Sequence, residues 1–112
     1  MSSFAFAQTE DKAPVDSPAS IKLYEFGKAT NGYVKRIFTE FQVELNADPN
    51  AQGYIINYGT DIEIARRERQ IKEGIIFCRI DAPRITIVKG GNIGKLKTQI
   101  WIVPAGAEMP TP

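Results

Sequence analysis

Val34, Ile37, Phe38, Phe41 and Leu45 recur at i, i+3, i+4, i+7 and i+11, a spacing that a helix turns into one continuous apolar stripe. Lys35, Arg36, Glu40 and Glu44 fall on its other faces. The turn-forming run "NADPN" (46–50) ends this helix, and the chain continues as "GYIINY" (53–58), almost wholly apolar. That is the pattern of a strand covered on both sides. A striped helix followed at once by a covered strand demands a layer of helix packed on sheet.

The remaining segments complete that architecture. "IKLYEF" (21–26) reads as a strand with apolar residues on both faces, hence largely covered, and "GKATNG" (27–32) offers Thr30 or Asn31 as a helix cap. A second helix is expected from about Ile62 to Phe77. At 100° per residue Ile64, Ile71, Ile75 and Cys78 gather on one side, Arg67 and Glu68 flank them, and Arg66, Arg69 and Glu73 point away. Gly74 weakens this helix. "DAPR" (81–84) is a turn, and "RITIV" (84–88) and "TQIWIV" (98–103) are strands expected to pair as a hairpin through "KGGNIGKLK". The order β-α-β-α-β-β predicts an α+β sandwich, two helices on a mixed four-stranded sheet joined by right-handed crossovers. Residues 20–104 form the expected domain, residues 105–112 a Pro-rich flexible tail.

Composition narrows the function. The chain's 112 residues suit one domain with one modest core, and its net charge of +1 provides no field favouring nucleic acid or an anionic membrane. Histidine is absent, which removes the commonest general base and zinc ligand. Cys78 is the single cysteine and reads as a core residue. The carboxylates show neither metal-ligand spacing nor a pair placed for acid–base work. The expectation is a protein that is not an enzyme and uses no metal or cofactor. No apolar run approaches the roughly 20 residues of a membrane span. At the N-terminus, Ala5-Phe6-Ala7 before Gln8 has the small-x-small pattern of a signal-peptidase site. Residues 1–19 therefore read as a signal-peptide remnant and flexible leader of an exported protein.

Two stretches invite a chemical reading. "KGGNIGKLK" is one residue short of a phosphate-loop spacing, has Leu96 where a hydroxyl should hold magnesium, and leads into a strand instead of a helix. A hairpin loop is the better account. "YGTDIEIARRER" (58–69) joins a strand end to an arginine-rich helix. Thr60 and Glu63 have the spacing of a capping box, worth about 1 kcal/mol. Glu63 and Arg67, and Arg69 and Glu73, stand at i, i+4, each pair worth roughly 0.2–0.5 kcal/mol. Local chemistry alone asks for no ligand here.

The order of these pieces resembles the OmpA-like C-terminal domain of bacterial envelope proteins. The resemblance runs through Phe26 and Ala29, then Leu45, Asp48-Pro49 and Ala51, then Thr60-Asp61, Ile80 and Arg84-Ile85, and spans about residues 21 to 103. It implies binding of peptidoglycan through the diaminopimelate of its stem peptide, held by the Asp of a "TD" pair and the Arg of a following "RA" pair. Asp61 matches the Asp. Arg67 matches the Arg when no gap is allowed up to Ile80, with Arg66 the alternative, and Thr60 supports the pair. The chain departs from the family's pattern in two ways. Gly59 stands where the family has His, and Asp61 and Arg67 lie six apart where the family has about eight more residues. The resemblance thus implies a periplasmic or envelope module that contacts peptidoglycan. A structural or protein-interaction domain of the same fold, with the ligand site lost, is the other expectation.

Overall fold

The computed structural model describes residues 18–112; the small-x-small motif and nearly all of the leader lie outside them. Thr30 starts the first helix by accepting a hydrogen bond from the Tyr33 backbone N–H at 3.1 Å. The elements are β1 (Ile21–Phe26), α1 (Asn31–Ala47), β2 (Gln52–Tyr58), α2 (Asp61–Phe77), a single 3₁₀ turn (Ala82–Arg84), β3 (Ile85–Gly91) and β4 (Lys97–Val103). This is the expected β-α-β-α-β-β order, and the two helices lie on a mixed four-stranded sheet.

The strands stand in the order β1-β4-β2-β3. β4 runs antiparallel to both β1 and β2, and β2 runs parallel to β3. Both crossovers move the same way across the sheet, so right-handedness puts both helices on one face. There the α1 stripe meets Ile55, Ile71, Ile75, Ile100 and Ile102 in one core. All five stripe residues of α1 are buried. Gly74 permits the two helices to touch: a Cβ there would lie 3.1 Å from Phe38 Cδ2. The glycine that weakens α2 as an isolated helix is the one that lets it pack.

Two expectations are corrected. β3 and β4 do not form a hairpin. β2 lies between them, and residues 92–96 carry the chain over the end of β2, so that β4 fills the slot between the parallel strands β1 and β2. In that slot Ile100 and Ile102 are buried between two neighbours instead of standing at an edge. β1, in turn, is an edge strand and only half covered. Its pairing with β4 slips between Lys22 and Tyr24. This bulge turns both Leu23 and Tyr24 toward the core, while Lys22 and Glu25 face outward and pair at 2.6 Å. A break in the alternation had the appearance of two apolar faces.

The opposite face of the sheet carries Tyr54, Ile56, Tyr58 and Val103, with Val88, Trp101 and Ala107 packed against them. Ala107 belongs to the C-terminal tail, where its N–H bonds the Pro104 carbonyl at 3.0 Å, and the Ser20 hydroxyl donates to the Glu108 carbonyl. Among the described residues no helix is long and apolar enough to cross a membrane.

Candidate functional site

The start of α2 is built by its cap. The Thr60 hydroxyl accepts from the Glu63 N–H at 3.2 Å, and the Glu63 carboxylate accepts from the Thr60 N–H at 2.9 Å. The capping box is therefore complete. It explains Gly59, whose φ of 145° disfavours a side chain and whose Cβ would stand 2.9 Å from the Glu63 carboxylate. Both Thr60 and Glu63 are held by the cap.

Arg67 lies in the core, only 1% exposed, rather than flanking it. Its Nε donates to Gln70 Oε1 at 3.0 Å, Nη1 donates to the Thr98 hydroxyl at 2.6 Å, and Nη2 donates to the Gly27 carbonyl. The guanidinium also sits 4.8 Å from the centre of the Phe26 ring, a cation–π distance. Thr98 passes the network on to Asn57 Oδ1 at 2.8 Å, while Asn57 Nδ2, also buried, has no partner among the described residues. Gln70 extends the network in the other direction, donating to the Ala29 carbonyl and to Asn31 Oδ1, each at 3.0 Å. One arginine thus ties α2 to β1, β4 and the loop before α1. Burial takes the Arg67 guanidinium out of water and so pushes it below its ordinary pKa.

The expected i, i+4 ion pairs of α2 do not form. Among the described residues the one ion pair within 4.0 Å is Lys22–Glu25. Glu63 turns back to its cap and Arg67 turns into the core, so neither meets the other, and Arg69 and Glu73 remain apart.

Two concavities flank the start of α2. One, of about 380 Å³, is lined by Lys28, Glu63, Arg66, Arg67, Arg69 and Glu73, with Gln70, Asn31, Ala29 and Leu96 completing its wall. The other, of about 610 Å³, is lined by Gly59, Thr60, Asp61 and Ile64 from one side and by Lys89 to Asn92 from the other. Asp61 and Arg67 therefore open on different concavities. Helix geometry gives the reason: six residues leave them about 120° apart around the axis and roughly 9 Å apart along it. Buried Ile64 stands between them. Arg66 and Arg67, the two alternatives for the resembling arginine, share the smaller cleft. Arg66 is exposed, while Arg67 forms part of the floor.

Sequence reasoning missed Lys28, Arg69, Gln70 and Glu73 as cleft residues. Arg69 and Glu73 carry no signal distinguishing them from a solvated helix face, and Lys28 comes from a loop 38 positions before Arg66 in the chain. The burial of Arg67 did have a signal: it occupies i+3 from Ile64 and i−4 from Ile71, in line with the apolar stripe.

No family model, curated protein or solved structure matches the chain. Its general shape, a small α+β sandwich of two helices on a mixed four-stranded sheet, is compatible with an OmpA-like fold.

Proposed function

We propose that the chain is a non-catalytic, exported module of the bacterial envelope that contacts the stem peptide of peptidoglycan at the start of α2. The observation that supports this reading is the smaller cleft, where Arg66 and Arg69 stand beside Glu63 and Glu73. Arginine forks suit a carboxylate and a nearby glutamate suits an ammonium group, the two charges at the free end of diaminopimelate. In this reading Arg66 is the arginine that reaches the ligand. Arg67 holds the floor, Thr60 keeps the helix start in place, and Asp61 meets the ligand from the adjoining concavity. A pull-down on insoluble diaminopimelate-type peptidoglycan tests it. Wild type should sediment with the polymer, and Asp61→Ala/Arg66→Ala should stay in solution while remaining folded. Wild type left in solution removes the function; equal sedimentation of the variant removes the site.

A second reading rests on a different observation. The Arg67 guanidinium donates inward at all three of its nitrogens, and Asp61 opens away from it. A structural or protein-interaction domain that has lost the clamp accounts for that arrangement. Under it Asp61→Ala only loosens the start of α2, and a fall in melting temperature is the whole phenotype.

A further inference from the structure

The charges lining the smaller cleft do not balance. Lys28, Arg66, Arg67 and Arg69 face Glu63 and Glu73, a formal excess of two positive charges. None of the six forms an ion pair within 4.0 Å among the described residues. Glu63 is, moreover, directed at the Thr60 N–H. A zwitterionic end brings no net charge and leaves that excess in place. A single carboxylate halves it. A phosphate monoester carries about −1.5 to −2 at pH 7, with three acceptor oxygens. The buried guanidinium strengthens this argument. Arg67 has no carboxylate partner, and its interior network uses three of its five N–H donors. A cation in such a setting is stabilised most by an anion seated in the cleft beside it, where water is partly excluded.

We propose that the cleft formed by Lys28, Arg66, Arg67 and Arg69 binds a phosphate monoester. This rests on reading the cleft as a ligand site, and not on the ligand being peptidoglycan. Arg66 and Arg69 reach the phosphate oxygens from the exposed side of α2, Lys28 from the loop after β1, and Arg67 provides fixed positive charge underneath. The same chemistry is offered by a phosphorylated sugar or by the headgroup of a phosphatidic acid.

The test is a backbone-amide NMR titration of the full chain with inorganic phosphate, run against acetate at equal ionic strength. Phosphate should shift the amides of Lys28, Arg66, Arg69 and Gln70 saturably at pH 7.5. The apparent affinity should weaken at least threefold at pH 5.5, where phosphate is a monoanion. Arg66→Gln/Arg69→Gln should lower affinity at least tenfold, and Lys22→Gln, at the start of β1 and facing outward, should leave it unchanged. A sugar 1-phosphate and vesicles of phosphatidic acid in phosphatidylcholine then separate the sources; binding to either supports the proposal. Equal shifts with acetate, no pH dependence, or an unaltered affinity in the double variant overturns it. Peptidoglycan retention without phosphate binding overturns this inference alone. Phosphate binding without peptidoglycan retention upholds it and removes the preceding function.

Discussion

Replacing Arg67 by methionine keeps a long flexible side chain on the α2 stripe and deletes the guanidinium. Three hydrogen bonds disappear, to Thr98 at 2.6 Å, to Gln70 at 3.0 Å and to the Gly27 carbonyl, together with the contact to the Phe26 ring. Hydrogen bonds from a charged group contribute about 1.5–3 kcal/mol each, so the gross loss is roughly 4–9 kcal/mol. Removing a cation that has no carboxylate partner also relieves its desolvation, which amounts to several kcal/mol. The Gln70 amide can turn to water, whereas Gly27 and Thr98 retain unsatisfied acceptors. The balance is a destabilisation of about 3 kcal/mol, or a fall of roughly 12–24 °C in Tm for a domain of this size. Arg67→Lys should fall between the two, because one ammonium can reach only part of the fork's set of acceptors. Thermal unfolding followed by far-UV circular dichroism measures both. A methionine variant within 1 kcal/mol of wild type would refute the idea that Arg67 stitches α2 to β1 and β4. It would mean that the guanidinium is held for a ligand at the expense of stability.

Three further outcomes are expected. Thr60→Ala removes one half of the capping box and should lower stability by about 1 kcal/mol, as read by urea denaturation. Arg84 donates to the carbonyls of Leu45, Asp48 and Ala51 at 3.0, 2.8 and 2.7 Å; Arg84→Gln should destabilise by about 2 kcal/mol and accelerate amide exchange in the last turn of α1 more than in α2. A Cβ at Gly90 would stand 2.4 Å from the Tyr58 ring, so Gly90→Ala should displace that ring and cost about 1–3 kcal/mol. Changed tyrosine fluorescence would accompany this loss, and an unchanged melting curve would mean that the ring has room to move.

The element order was legible in the sequence because periodicity is local. The α1 stripe at 34, 37, 38, 41 and 45 needs nothing beyond the rise of a helix, and all of its members are buried. The Thr60–Glu63 cap was legible for the same reason: both partners lie within one turn. Strand neighbours were not. Placing β4 between β1 and β2 depends on which sheet slot the crossovers leave open, and no stretch of residues shorter than the whole chain records that. The bulge at Leu23 likewise exists only in the pairing with β4.

The same division runs through the candidate site. The sequence by itself determined that an arginine-rich helix would begin at Thr60 under a capping box, since helix capping depends on side chains three positions apart. It also carries polar residues within or beside its apolar stretches, among them Arg67 beside the α2 stripe, Asn57 in β2 and Thr98 at the start of β4. Only the tertiary structure decided that these three meet in one hydrogen-bonded chain, because their separation along the chain is bridged by the sheet order. That meeting draws Arg67 inward and leaves Arg66 and Arg69 facing the cleft beside Lys28. Burying an unpaired cation is costly unless its donors are satisfied. In this protein the donors find the Gly27 carbonyl, in the loop after β1, and the Thr98 hydroxyl, on β4, groups that lie beside α2 only once the sheet has formed.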